Sequence, residues 1–270
     1  MSHQQIHALT IAGSDSGAGA GIQADLKTFA ALGAYGCSAI TAITAQNTLG
    51  VQGVHPVPAQ MIEAQCDAVF ADIRIDVVKI GMLTSLASVG AVINVLQRWR
   101  PAFVVLDPVL SATTGQAFLS GEAGALFRQG LLPLVDVVTP NIPEAARLLG
   151  VPEALDVVTM QAQAQALCAQ GLRAVLLKGG HLPATEAAVD CLCQPGHEPQ
   201  LFVGARSAAT NTHGTGCTLA SALAVTYGQC GDLARAVQQA KHYVTQAIER
   251  SGELNVGAGA GPLQHFHPWL

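Results

Sequence analysis

Residues 8 to 32 read ALTIAGSDSGAGAGIQADLKTFAAL. Ala8 to Ala12 form a short apolar run of strand type, Gly13 to Gly21 a turn rich in glycine and serine, and Gly21 to Leu32 a helical pattern. The same rhythm recurs along the chain. Gly36 to Ala45 is followed by Pro58 to Phe70, and Val77 to Ile80 by Ser85 to Trp99. Phe103 to Leu106, Val135 to Val138 and Ala174 to Leu177 read as further strands, with helices such as Ile142 to Leu149 and Met160 to Ala169 between them. Strands alternating with helices predict a doubly wound, mostly parallel sheet. After Lys178 the pattern changes to two short strands, Ala187 to Cys193 and Gln200 to Val203, separated by the hairpin-like Gln194 to His197. Two long helices follow, Thr218 to Tyr227 and Asp232 to Arg250. With no solenoid repeat and no dividing linker, the expectation is one three-layer α/β/α unit spanning residues 1 to 270.

Composition narrows the partners. Half of the 270 residues are hydrophobic, 11% are charged and 4% aromatic, which suits helices packed closely on a buried sheet. A net charge of −5 without any cluster of Lys and Arg offers no electrostatic footprint for nucleic acid or an anionic membrane, so a small-molecule partner is expected. Met1 to His7 is polar and lacks the basic and apolar regions of a signal peptide, which points to the cytoplasm. The sparsely charged stretch Thr28 to Ile62 is broken by Gly33, Gly36, Gln46, Asn47, Pro56 and Pro58 and reads as buried strand and helix, not a membrane span. Seven scattered cysteines fit reduced thiols, and Cys191-Leu-Cys193 fits strand cysteines better than a zinc site.

Ligands of such sheets bind at the carboxyl ends of the strands. Polar or glycine residues stand at those ends repeatedly: Gly13 to Gly21, Gln46-Asn47, Gly81-Met82, Asp107-Pro108, Thr139 to Glu144 and Lys178 to Gly180. Two common nucleotide motifs are excluded. Gly17, Gly19 and Gly21 leave Ile22 where a dinucleotide fingerprint needs its third glycine, and no acid stands between Asp25 and Glu63 to hold a ribose. No G-x-x-x-x-G-K-[ST] occurs either.

Residues 211 to 218, NTHGTGCT, run straight into an alanine-rich helix. Gly214 and Gly216 allow successive N–H groups to converge on an anion, and the helix dipole adds to them. Cys217 falls in the first helical turn, where a thiol is expected to lose its proton more easily. Such a turn offers preorganised donors and a nearby base for phosphoryl transfer. On its own it reads equally as a tight strand-to-helix turn with an inert cysteine.

These motifs together resemble the hydroxymethylpyrimidine/phosphomethylpyrimidine kinases of thiamine biosynthesis, members of the ribokinase-like superfamily. The resemblance is carried by Ala12 to Gly17, Gly21 to Phe29, Ala45 to Asn47, Lys79 to Met82, Asp107 to Val109, Thr139 to Glu144, Lys178 to His181 and Asn211 to Thr218, in that order, and runs from Ile6 to His267. It implies a ribokinase-like fold without a separate lid domain, and phosphorylation by ATP of 4-amino-5-hydroxymethyl-2-methylpyrimidine to the monophosphate and then the diphosphate. It also implies specific roles. Gln46 matches the residue that reads the aminopyrimidine, a donor and acceptor together. Gly13, Asp25, Met82 and Val109 match positions around the substrate, Glu144 and Asp107 the acids that hold Mg²⁺, and Lys178, Asn141 and Thr212 the nucleotide side. Gly214, Thr215 and Gly216 match the anion hole, and Cys217 stands where most sugar kinases of the superfamily carry an aspartate base. Either Cys217 accepts the hydroxyl proton or it only positions the alcohol.

Residue by residue, plainer readings exist: Gln46 as a strand cap, Met82 and Val109 as core, Asp25 as a solvated acid in its helix, Pro143-Glu144 as a helix start and Lys178 as a surface lysine. Pyridoxal kinase is the nearest rival and pyridoxal a possible side substrate; a catalytically silent binder on the same fold is the other. Members without a lid are commonly homodimers, which sets the expectation here. Ser111 to Gln116 is a candidate flap, and His265-x-His267 is assigned no chemistry.

Overall fold

A computed structural model gives the architecture and describes residues 5–110, 121–180, 182, 187–207, 209 and 211–270. In β1 (His7–Ala12), Leu9 and Ile11 face one side of the sheet while Ala8 and Thr10 face the other, as the two-residue period of a strand requires. The chain continues through α1 (Gly21–Ala31), β2 (Tyr35–Ile40), β3 (Ala42–Asn47), β4 (Gly50–Pro56), α2 (Ala59–Asp72), β5 (Val77–Ile80), α3 (Leu86–Trp99) and β6 (Val104–Leu106). There follow α4 (Gly121–Leu126), β7 (Val137–Val138), α5 (Ile142–Leu149), α6 (Val157–Ala169), β8 (Val175–Lys178), β9 (Ala187–Cys193), β10 (Gln200–Ala205), α7 (Thr215–Cys230) and α8 (Leu233–Glu249).

Eight strands form one sheet in the order β10-β9-β8-β7-β6-β5-β1-β2. The six from β8 to β2 pair in parallel; β9 and β10 add antiparallel at one edge. On one face Leu9, Ile11, Val78, Ile80, Val104, Leu106, Val175 and Leu177 pack under α2, α3, α5 and α6. On the other, Ala8, Val77, Val105 and Leu176 pack under α1, α7 and α8. This is the expected three-layer α/β/α arrangement. Among the described residues no helix is long and apolar enough to cross a membrane.

One strand departs from the sequence reading. The run Gly36 to Ala45 does not continue as a single strand: β2 ends at Ile40, and the chain crosses at the buried Thr41 into β3, which pairs with β4 in a separate two-stranded sheet. Thr41 N–H donates to Ala12 O (2.9 Å) and Ser14 N–H to Ala42 O (2.8 Å), so the end of β1 closes over the crossing. β4 has no counterpart in the sequence reading. Its residues are exposed throughout, so no buried face imprints a pattern on them. The candidate flap Ser111 to Gln116 lies outside the described residues, as does His181.

Candidate active site

Glycine permits the close approach on which the site is built. Gly214 takes φ +84°, and a Cβ there would fall 1.9 Å from Gly19 O, so the turn before α7 rests directly on the glycine loop after β1. Two residues on, a Cβ at Gly216 would stand 3.1 Å from Asp107 Oδ2 and 3.2 Å from Lys178 Nζ. The first turn of α7 therefore meets the ends of β6 and β8. Thr215 Oγ1 donates to Thr212 O (2.8 Å), tying down the turn, with Thr212 itself exposed.

Asp107 and Lys178 form a nearly buried pair: Lys178 Nζ donates to Asp107 Oδ1 at 2.7 Å, and Thr139 Oγ1 donates to the same oxygen at 3.2 Å. Burial works to lower the Lys178 ammonium's pKa, but Asp107 and Glu144 outweigh it and raise it, so the cation is kept. Asn141 and Glu144 close a reciprocal capping box at the start of α5. Glu144 N–H donates to Asn141 Oδ1 and Asn141 N–H to Glu144 Oε2, both at 2.8 Å. The helix-start reading of Glu144 is thus realised, and it coexists with proximity to the other charged groups. Burial pushes the Glu144 carboxyl up to about 7, with Lys178 opposing and Asp107 reinforcing.

Beneath this edge lies a second polar cluster, on the sheet face that carries α1 and α7. Asp25 accepts from Lys79 Nζ (2.8 Å) and Thr10 Oγ1 (2.6 Å) on one oxygen and from Ser221 Oγ (2.7 Å) on the other. Both members of the ion pair are fully buried. This corrects two expectations. Asp25 is not a solvated acid: its carboxylate has no surface, and both of its oxygens accept hydrogen bonds. Cys217, one helical turn before Ser221, does not have an acidified thiol. Burial pushes it up to about 11, Lys79 pulls it down, and Asp25 and Asp107 raise it further. Helix-terminal position alone had suggested the opposite; enclosure and two carboxylates overrule it.

A third cluster joins the remaining elements. Asp15, in the loop after β1, accepts N–H bonds from Gly17 (2.8 Å), Gly19 (3.1 Å) and Ala20 (2.8 Å). Its Oδ2 also lies 3.0 Å from His213 Nε2. The same His213 nitrogen is 3.2 Å from the carboxamide of the half-buried Gln46, at the end of β3. Ser16 Oγ donates to Gln46 O (2.7 Å) and holds that strand end against the loop. Met82 lies over Gly13, where an added Cβ would be 2.3 Å from its terminal methyl carbon. Val109 follows Asp107 and donates its N–H to the Asp107 carbonyl at 2.9 Å.

Most predicted residues therefore gather along the carboxyl edge of the sheet, with Asp25 below it. Asp15, His213 and the function of Lys79 escaped sequence reasoning. Asp15 and His213 are 198 residues apart and meet only through tertiary packing. The local signal available was an aspartate inside a glycine and serine loop, a residue type that captures nearby N–H groups. His265 and His267 pack as structural groups: His265 Nε2 lies 3.0 Å from Thr218 Oγ1 and His267 Nε2 3.1 Å from Tyr243 O. Among the described residues there is no cluster of three or more His, Cys, Asp or Glu that would hold a metal by protein ligands alone.

Comparison with known proteins agrees with the motifs. Residues 15–264 match the model of a family described as phosphomethylpyrimidine kinase. A hydroxymethylpyrimidine/phosphomethylpyrimidine kinase of Escherichia coli K12 is 49% identical over 266 residues, 98% of this chain and 99% of the relative. A crystal structure of phosphomethylpyrimidine kinase from Clostridium difficile, 40% identical, matches 90% of this chain and 100% of its own with a TM-score of 0.79. An ADP complex of Bacillus subtilis pyridoxal kinase, 33% identical, matches 97% and 98% with a TM-score of 0.88. Sequence and fold agree over nearly the full length, and the chain belongs to the phosphomethylpyrimidine kinase family.

Proposed function

We propose that this chain, as one kinase unit over residues 1 to 270, phosphorylates 4-amino-5-hydroxymethyl-2-methylpyrimidine with ATP, and then its monophosphate to the diphosphate, in thiamine diphosphate biosynthesis. The observation that carries the reading is the meeting of the α7 turn with the Lys178–Asp107 pair, 3.2 and 3.1 Å from where a Gly216 Cβ would stand. An anion-binding helix start beside a retained cation is what a transferring phosphoryl group requires. The substrate hydroxyl oxygen attacks the γ-phosphorus, the bond to the β-phosphate oxygen breaks, the hydroxyl proton passes to an oxygen of the transferred group and on to water, and ADP leaves. N–H groups of Gly214, Thr215, Gly216 and Cys217 and the Lys178 ammonium stabilise the charge on the moving group. Asn141 and Thr212 lie on the nucleotide side.

Gln46 reads the aminopyrimidine edge, and Gly13, Met82 and Val109 bound the ring. Asp25 contributes from below by holding Lys79. A thiol raised to about 11 favours positioning of the alcohol over proton abstraction by Cys217, consistent with a transition state that asks mainly for placement and charge stabilisation. Mg²⁺ fits this site: Asp107 raises the Glu144 carboxyl, two neighbouring acids that a cation would relieve, and Mg²⁺ takes few protein ligands and keeps water. Bound to ATP it would neutralise charge on the phosphates, with Asp107 and Glu144 holding it.

Pyridoxal is a side substrate in this reading, supported by the likeness to the B. subtilis pyridoxal kinase. The exposed Ile43, Val51 and Val54 of the two-stranded sheet and Leu49 in its turn, with Tyr35 and Met61, support a homodimer, because such a sheet is marginal alone. ATP consumption with Mg²⁺ tests the reading, comparing hydroxymethylpyrimidine, its monophosphate and pyridoxal at matched concentrations. Turnover of both pyrimidines, with pyridoxal slower, is expected; faster pyridoxal turnover would make this a pyridoxal kinase, and none at all a silent binder.

A further inference from the structure

The contact between His213 and Gln46 contains a conflict of protons. His213 Nε2 lies 3.0 Å from Asp15 Oδ2 and 3.2 Å from Gln46 Nε2. An ionised carboxylate only accepts, and a carboxamide nitrogen only donates. A single ring nitrogen cannot be a donor to one and an acceptor to the other. The carboxylate has the stronger claim. Asp15 is 2% exposed, collects three backbone N–H donors and keeps its carboxyl lowered: burial raises it, but His213 and those N–H groups prevail. His213 Nε2 therefore carries a proton, aimed at Asp15, whether the ring is neutral or charged.

Gln46 must then offer His213 its oxygen. A half-turn of the amide about its terminal bond replaces two opposed donors with a three-centre contact, in which the one Nε2 proton points chiefly at Asp15 and is shared by the Gln46 oxygen, and moves the NH₂ group to the other edge. The ring is well fixed for this task. An added Cβ on Gly19 would stand 2.4 Å from His213 Cδ2, so that edge of the ring abuts the glycine loop, and His213 N–H donates to Gly261 O at 3.3 Å.

We propose that His213, held by Asp15, is a specificity-determining positioning residue that turns Gln46 so that its NH₂ group faces the substrate. In that setting Gln46 donates to a ring nitrogen and accepts, on the remaining lone pair of its oxygen, from an adjacent exocyclic amine. It thereby selects a heterocycle carrying both groups over one carrying a hydroxyl or no amine. This rests on the assignment of Gln46 to the substrate edge made above.

Two measurements separate the inference from that assignment. The ¹⁵N spectrum of the His213 imidazole reads its proton without any turnover: a protonated Nε2 is expected, and a ring protonated only on Nδ1 would overturn the inference whatever the enzyme phosphorylates. Kinetics read the consequence. His213→Leu is expected to raise KM for hydroxymethylpyrimidine about tenfold, as expected for losing one orienting hydrogen bond, with kcat and KM for ATP moving less than about threefold. His213→Gln, which retains an N–H donor, is expected to recover most of the loss. In a Gln46→Leu background the His213→Leu effect should vanish. An equal effect with and without Gln46, or a loss confined to kcat, would overturn the inference. A wild-type protein inactive on hydroxymethylpyrimidine would instead overturn the assignment of Gln46.

Discussion

Lys79 Nζ lies 2.8 Å from Asp25 Oδ2, and neither side chain has any exposed surface. The strand period places Lys79 and Thr10 on the face that carries α1 and α7, where apolar residues otherwise pack. Removing one partner strands the other's charge in the core. Lys79→Met is expected to cost about 3–5 kcal/mol in urea unfolding, whereas adding Asp25→Leu should restore a large part of it. A single variant within about 1 kcal/mol of the parent would show that water reaches the pair.

The thiol of Cys217 is expected to be unreactive near neutrality. Burial raises it from its ordinary 9.0 to about 11, so the folded state holds the proton longer than the unfolded chain. Its contribution to stability is fully present below pH 9.0 and is lost as pH rises through about 11. Alkylation by iodoacetamide at pH 8, read by mass spectrometry on the Cys217 peptide, should be roughly 10²-fold slower in the folded protein than in denaturant. Lys79→Met should slow it further, since Lys79 pulls the thiol down. Equal rates folded and unfolded would refute the account and return Cys217 to the role of base.

Glycine at 214 and at 216 is required for different reasons. Gly214→Ala meets both a positive φ and a backbone oxygen 1.9 Å away, so the expected outcome is loss of stability by several kcal/mol. Gly216→Ala keeps helical backbone but presses on Asp107 and Lys178, so the chain should fold while kcat falls roughly 10²-fold. Calorimetric melting beside initial rates distinguishes them. Similar melting temperatures with equal rate losses would contradict this division.

His265 couples the tail to the acid limb of stability. Burial lowers its pKa from 6.5 to about 4, with the Lys27 charge adding, so the unfolded chain takes up the proton first. The stability it supports is full above pH 6.5 and is lost as pH falls through about 4. His265→Gln should flatten that limb by on the order of 2 kcal/mol between pH 7 and pH 4. An unchanged slope in urea titrations would place the acid sensitivity elsewhere.

Buried elements were the legible ones. Val77–Ile80, Ile142–Leu149 and Ala187–Cys193 fall where apolar periodicity put them, because each is pressed against the core and its sequence carries that constraint. α7 starts at Thr215, earlier than the apolar pattern suggested, because its first residues are only half-buried and its buried face begins at Thr218. β4, exposed along its length, left no imprint. Asp107 and Lys178 stood out in the sequence as polar residues at strand ends, and their roles came only with the family resemblance. Asp15 and His213 did not stand out, since what makes them matter is a contact across 198 residues, and the Cys217 thiol was misjudged because its burial and neighbouring charges are tertiary facts.

The tail is stitched to the turn that precedes α7. Gly261 N–H donates to Asn211 Oδ1 (3.0 Å), Gly261 O accepts from His213 N–H (3.3 Å), and Gly259 N–H donates to Thr48 Oγ1 (3.2 Å). These residues are synthesised after every strand and helix that they brace. During translation the sheet can therefore close before the turn that precedes α7 is fixed in place.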